Sequence, residues 1–366
     1  MPSEKEPAPA RAKARAQQAD SGIEWLTADR GQPAPPEQAQ RERERRPADK
    51  SVNLLAAPTS ADLTPEVLLG SHPEAPRYGW QRTVHRLTGG RLHPGPGRRE
   101  RAERDMEARL KAPVHGCRRI AVMALKGGVG KTTAAACVAA TFALHRGDRV
   151  VAVDASPGPG TLGYRIGGQS QRTARQLLAN SSRLEKYSDM RAFASQTTMG
   201  LDVLASEPDP MTMEAFGEDG FRRLDTVLER FYSLVLVDCG PGVLHASTRS
   251  ILERAHQLVV VSAPSLDGAR SASLTLDWLE RHKFGGLAQS AVAVINFVRP
   301  RARIDLRELE DHFTQRCRAV VRVPFDRHLE TGSHISLDKL APRTQRAFLE
   351  LAAAVADGFA LGDPTR

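Results

Sequence analysis

The chain has 366 residues, a formal net charge of +9, 26% charged and 40% hydrophobic side chains, enough for a sizeable core. Its four cysteines, Cys117, Cys137, Cys239 and Cys317, stand too far apart for a CxxC metal pair or a disulfide framework. The first twenty residues lack the apolar stretch of a signal peptide, and no run approaches the ~18 apolar residues of a membrane span, so a cytoplasmic protein is expected.

Residues 1–76 are rich in Pro, Ala, Gln, Arg and Glu, as in Arg41-Glu42-Arg43-Glu44-Arg45-Arg46. They offer too little apolar surface to offset the entropy of ordering them, which predicts a disordered extension. Residues 77–117 read as a basic helical collar, and the stretch 77–119 holds +8 of the net charge. Such a collar suits a polyanion, or is a solvated linker. Within it, Trp80, Val84 and Leu87 share one side of a short helix and Arg82 and Arg86 another, before Gly89-Gly90 ends it. One aromatic and two aliphatics make a weak membrane anchor, so this helix is expected to fold back on the main domain. A second helix is predicted from Arg98 to Lys111.

Over 118–361 strand and helix patterns alternate. Apolar strands are predicted at Ile120–Met123, Arg149–Asp154, Leu201–Ala205, Ser233–Asp238, Gln257–Val261, Ala291–Asn296 and Ala319–Pro324. Helical patterns lie between, including Ala134–His145, Phe221–Phe231 and Gly268–Phe284. Apolar strands separated by helices mean an α/β fold with a mostly parallel, doubly wound sheet flanked by helices. Arg343–Leu361 closes the chain as a packing helix with Phe348, Leu351, Ala352, Val355 and Phe359 on one face.

The chemistry centres on Lys126-Gly127-Gly128-Val129-Gly130-Lys131-Thr132-Thr133, between the first strand and the Ala134 helix. Strand, glycine loop and helix make a phosphate-binding context: backbone NH groups turn around the anion, the helix N-terminus adds its dipole, and a lysine adds a full charge. The predicted ligand is a nucleoside triphosphate. The phosphate-loop pattern gives Lys131 the β- and γ-phosphates and the Thr132 hydroxyl a Mg²⁺ ion. Asp154 and Asp238, each ending a buried strand, stand where carboxylates near that metal belong.

A standard phosphate loop wants glycine five positions before Gly130, where this chain has Leu125, with Lys126 following. KGGVGKTT therefore resembles the deviant Walker A motif of the ParA/MinD family of ATPases. The resemblance implies ATP and Mg²⁺ as ligands and an ATP-dependent homodimer in which Lys126 reaches the partner's phosphates. It also implies that Thr133 lies near the α-phosphate, and that Asp154 is the first aspartate of a DxD element. Asp238 becomes the Walker B residue, with Cys239-Gly240-Pro241-Gly242 sensing the γ-phosphate. Asn296 and Pro324 match positions flanking adenine, or are strand-terminating turn residues. Where the family has the second aspartate of DxD, credited with activating the attacking water, this chain has Ser156. A serine lacks a carboxylate to accept a proton near neutral pH, so slow hydrolysis is expected.

A narrower resemblance, to the actinobacterial MinD-like ATPases associated with type VII secretion, rests on Gly79-Trp80 with Gly89-Gly90, Arg146-Gly147-Asp148-Arg149, and Leu274-Thr275-Leu276-Asp277-Trp278-Leu279. Three functions stay open. One is a dimeric ATP switch regulating a membrane-associated secretion or positioning machine, cytoplasmic or peripheral at the inner face of the plasma membrane. The others are a partition ATPase binding DNA non-specifically, with steep salt dependence, and a non-catalytic ATP-sensing adaptor.

Overall fold

A computed structural model of the chain describes residues 79–89, 92, 95–156, 160–167, 172–206, 218–240, 242, 246–299 and 304–360. The expected disordered extension over 1–76 lies outside them. The strands are β1 (Arg118–Met123), β2 (Val150–Ala155), β3 (Ser195–Gln196), β4 (Asp202–Leu204), β5 (Leu234–Cys239), β6 (Gln257–Ser262), β7 (Val292–Val298) and β8 (Ala319–Pro324). They form one sheet in the order β3-β4-β2-β5-β1-β6-β7-β8. Every neighbouring pair is parallel except β3 with β4 at the edge. β3 is a short antiparallel addition that the apolar pattern did not announce, because a two-residue strand has no periodicity to read.

The helices are α1 (Gly79–Leu87), α2 (Arg98–Leu110), α3 (Lys131–His145), α4 (Ala174–Ala179), α5 (Tyr187–Arg191), α6 (Glu218–Glu229), α7 (Ala246–Arg254), α8 (Leu266–Arg281), α9 (Gly285–Gln289), α10 (Leu306–Thr314), α11 (Arg327–Glu330) and α12 (Pro342–Asp357). Because both faces of the sheet are covered, β2, β5 and β6 are buried along their whole length and show no polar alternation. The pleat divides them: Ile120 and Val122 join a core with α2, α3 and α12, while Ala121 and Met123 join the opposite core with α6, α8 and α9.

α3 is buried continuously from Thr133 to Phe142, packed on β1, β2 and β5 and against α12. Its run of alanines lets the backbones approach closely, and Phe142 meets Phe359 with ring centroids 6.0 Å apart. The predicted face of the closing helix, Phe348, Leu351, Ala352, Val355 and Phe359, is buried, so that helix is a packing element. α2 also packs: Met106 and Leu110 are buried, and Arg109 grips Asp357 through Nε–Oδ1 at 3.0 Å and Nη2–Oδ2 at 2.5 Å. The second half of the collar is thus a docked helix rather than a solvated linker. α1 departs from expectation. Leu87 is 83% exposed, so the apolar side of this helix is not folded back onto the domain there. A helix this short, with so few apolar side chains, gains little from docking. No helix among the described residues is long and apolar enough to cross a membrane.

One buried ionic cluster ties the sheet to its helices. Asp225 on α6, 1% exposed, accepts from Arg119 Nε of β1 at 2.5 Å and from Arg254 Nη1 of α7 at 2.7 Å, and Arg119 Nη2 also donates to Glu229 at 2.8 Å. Removing one member of a buried ion pair leaves an uncompensated charge. Asp225→Ala should therefore lower the unfolding free energy by about 3–5 kcal/mol, whereas Arg99→Ala, which breaks an exposed pair with Glu103, should change it by less than about 1 kcal/mol. Urea denaturation of both variants checks the contrast.

Candidate nucleotide site

β1 delivers the chain into the glycine loop, and α3 begins at Lys131 directly after it. Gly128 and Gly130 take φ values of 78° and 89°, left-handed conformations that side chains resist. Gly130 is doubly required, since a Cβ there would stand 2.0 Å from Asn296 Nδ2 and 2.7 Å from the Phe297 ring. At Gly127 and Gly128 a Cβ would meet nothing within 4 Å, so the loop keeps an open concave face.

Beneath the loop lies a buried charge cluster. Lys131 Nζ sits 2.7 Å from Asp238 Oδ1, with the two side chains 10% and 0% exposed. The second oxygen, Asp238 Oδ2, is buried without a partner. Asp154 is the cross-strand neighbour of Asp238 in the β2–β5 register, which brings the two strand-end carboxylates together. Asp154 Oδ1 accepts from the Ser156 NH at 3.2 Å and Oδ2 from the Leu162 NH at 3.0 Å. Burial first, and the nearby Asp238 carboxylate second, hold the Asp154 carboxyl above its ordinary value. Gly160 rests on that carboxylate so closely that a Cβ would be 2.1 Å from Oδ2.

Thr132 is half-buried in the first turn of α3, and Thr133 beside it is buried. Lys126 is exposed on the loop and ion-paired with Asp267 in the first turn of α8. Ser156 is half-buried just beyond β2. Asn296 is 1% exposed, and its amide faces inward: Nδ2 donates to Val129 O at 3.0 Å and Oδ1 accepts from the Phe297 NH at 3.0 Å. Its amide supports the loop from below. Pro324 ends β8, half-buried, and pairs across from Val298 just beyond Asn296.

Sequence reasoning missed Asp267 and Arg165. Arg165 Nη1 donates to Thr133 Oγ1 at 2.7 Å from a π-helical turn, Gly163–Gly167. The one signal for it was a charged residue set between Leu162 and Ile166, both of which are buried.

These residues suit a magnesium nucleotide. The unpartnered Asp238 oxygen and the open glycine cradle match a cation and a polyphosphate. Among the described residues no group of three or more His, Cys, Asp or Glu is placed to hold a metal ion.

Solved structures share this fold. The crystal structure of a ParA family ATPase from Chlorobium tepidum matches with a TM-score of 0.56 at 23% identity, covering 64% of this chain and 98% of that one. The septum site-determining protein MinD of Pyrococcus horikoshii, complexed with Mg-ADP, matches with a TM-score of 0.52 at 19% identity over 64% of this chain and 94% of its own. A family model described as an AAA domain matches residues 117–282. The ESX-1 secretion-associated protein EspI of Mycobacterium tuberculosis is 40% identical over 284 residues, 77% of this chain. The chain has the ParA/MinD fold. It spans 42% of the length of EspI. On the ParA/MinD fold the glycine loop, Asp154 and Asp238 occupy the C-terminal ends of neighbouring strands, where open α/β sheets bind ligands.

Two outcomes follow from the buried charges. Lys131→Ala strands the Asp238 carboxylate and should lower stability by about 3–5 kcal/mol, much of it recovered in Lys131→Ala/Asp238→Asn; urea denaturation of single and double variants measures both. For Asp154 the raised folded value means that its stabilising contribution is full below the ordinary 3.8 and is lost as pH rises through that raised value. The stability of Asp154→Asn relative to the native chain should therefore rise as pH climbs from 3.8 through the raised value in nucleotide-free protein, a trend measurable by denaturation at graded pH.

Proposed function

We propose that this chain is a MinD/ParA-like ATPase that binds Mg-ATP, hydrolyses it slowly, and acts as an ATP-dependent homodimeric switch on a cellular machine of the type VII secretion class. The observation that carries the reading is the buried Lys131–Asp238–Asp154 cluster beneath an open glycine loop. NH groups of Gly127, Gly128, Val129 and Gly130 with Lys131 would bind the β- and γ-phosphates. Thr132, Asp154 and Asp238 would hold Mg²⁺, which supplies charge neutralisation to the transferring phosphoryl group. Thr133 would face the α-phosphate, and Pro324 would flank the adenine.

Slow turnover rests on Ser156. Its hydroxyl can orient a water but cannot take its proton, and general-base catalysis is worth about 10²–10⁴-fold. Dimerisation rests on Lys126, which stands exposed at the rim of the loop with only a surface partner, Asp267, to leave. The secretion assignment rests on the 40% identity to EspI, an ESX-1 secretion-associated protein. A cytoplasmic protein, meeting a membrane-associated partner at the inner face of the plasma membrane, fits this role. The partition reading is weakened by the collar itself, because Arg99, Arg104 and Arg109 are paired with Glu103, Glu100 and Asp357. Less of its charge is therefore available to DNA.

Calorimetry with Mg-ATP, size-exclusion chromatography with and without ATP, and steady-state turnover test the proposal together. Wild type should bind, dimerise with ATP and turn over slowly; Lys126→Ala should bind but stay monomeric; Ser156→Asp should turn over at least about tenfold faster. A fast wild type, or no gain in Ser156→Asp, sinks the catalytic claim, and an absence of any turnover in both leaves the adaptor.

A further inference from the structure

Arg165 is a buried guanidinium that neither the fold nor the chemistry so far accounts for. It is 9% exposed, makes no ion pair with a carboxylate among the described residues, and its Nε is buried without a hydrogen-bond partner. A guanidinium carries five donors, and burying one without an anion opposes folding. Burial also draws its pKa below the ordinary arginine value. Such a group asks for a negative charge in direct contact, and among the described residues the carboxylate that acts on it, Asp238, does so without forming an ion pair.

The hydrogen bond that Arg165 does make, Nη1 to Thr133 Oγ1 at 2.7 Å, gives the missing charge a location. Arginine only donates, so the Thr133 oxygen must accept, and its single O–H must point elsewhere. A helical threonine ordinarily sends that hydrogen to the carbonyl four residues back, as Thr141 does on the same helix to Cys137 O at 2.7 Å. For Thr133 that carbonyl is Val129 O, which already accepts Asn296 Nδ2 at 3.0 Å, and Thr133 makes no such bond among the described residues. The hydroxyl is therefore left as a donor in the first turn of α3, where the helix dipole and the loop NH groups favour an anion.

The turn that carries Arg165 is braced. The Leu162 NH binds Asp154, the Gly160 NH donates to Ser206 Oγ at 2.7 Å, and the Ile335 NH donates to Arg165 O at 2.6 Å. One short segment thus touches both Asp154 and the helix that follows the phosphate loop.

We propose that Arg165 is a positioning residue for the nucleotide: it turns the Thr133 hydroxyl into a dedicated donor to the phosphate nearest the ribose and adds buried positive charge behind it. The proposal rests on the nucleotide-binding reading above. That phosphate is common to ADP and ATP, so Arg165 sets affinity for both equally, unlike Lys131, whose partners are the outer phosphates.

Calorimetry of the full chain with Mg-ATP, Mg-ADP and adenosine, on Arg165→Met, Arg165→Lys, Thr133→Val and Arg165→Met/Thr133→Val, tests it. Arg165→Met should weaken ATP and ADP binding alike, by about tenfold or more, leave adenosine binding within about twofold, and raise KM with kcat nearly unchanged. Arg165→Lys should restore part of the loss, and the double variant should bind no worse than the weaker single one, since both remove one interaction. ATP and ADP affinities of Arg165→Met within twofold of wild type, or losses that multiply in the double variant, overturn the proposal. If Arg165→Met fails to fold, Thr133→Val and Arg165→Lys decide: unchanged ADP affinity in both overturns it. Wild type that binds neither nucleotide defeats the nucleotide reading itself, a distinct result.

Discussion

A lysine ammonium and an aspartate carboxylate lie 2.7 Å apart at the end of the sheet, both nearly out of reach of water. Withdrawing two such charges from solvent is unfavourable by several kcal/mol each, and their attraction offsets this only when their remaining hydrogen-bonding capacity is met. Here it is not met, because Asp238 keeps one buried oxygen without a partner and the Asp154 carboxylate stands beside it. A pair left in that condition is a weak structural element and a good receiver for a further cation and an anion. The glycine loop above it supplies the room.

The rest of the fold serves to hold that arrangement. β1 lies between β5 and β6, so the loop leaving β1 emerges beside the Asp238 end of β5, and β2 on the far side of β5 brings Asp154 into register. β7 brings Asn296 under the loop, where its amide fixes Val129 and crowds out any side chain at Gly130. α3 is small-sided and buried from Thr133 to Phe142, where it packs closely on β1, β2 and β5 and against α12 while carrying Lys131, Thr132 and Thr133 at its start. The same close packing leaves little tolerance: Gly160 against Asp154 and Gly130 against Asn296 are contacts that a single methyl group would break.

Much of this was legible in advance, for physical reasons. The parallel strands are continuous apolar runs bounded by helices, a pattern that survives any detail of packing, and the observed strands differ from the predicted ones by a residue or two at their ends. The phosphate loop was readable because its glycines are demanded by local backbone geometry. The closing helix revealed itself through one apolar face. Asn296 was less legible, since a polar residue ending a strand can face a ligand or its own loop, and here the loop carbonyl took it. Leu87 of α1 was not legible, because helical periodicity says which side is apolar and not whether a partner surface lies within reach; it stays in solvent.

The sequence by itself determined the α/β architecture, the glycine loop, and the two strand-end acids, because each follows from local geometry or from hydrophobic periodicity over a few residues. Only the tertiary structure decided which charges meet: Lys131 with Asp238, Lys126 with Asp267, Asp225 with two arginines, and Arg165 with Thr133. These partners lie about thirty to one hundred and forty residues apart along the chain and leave no local trace. Their meeting is fixed by strand order and by the burial that follows from it.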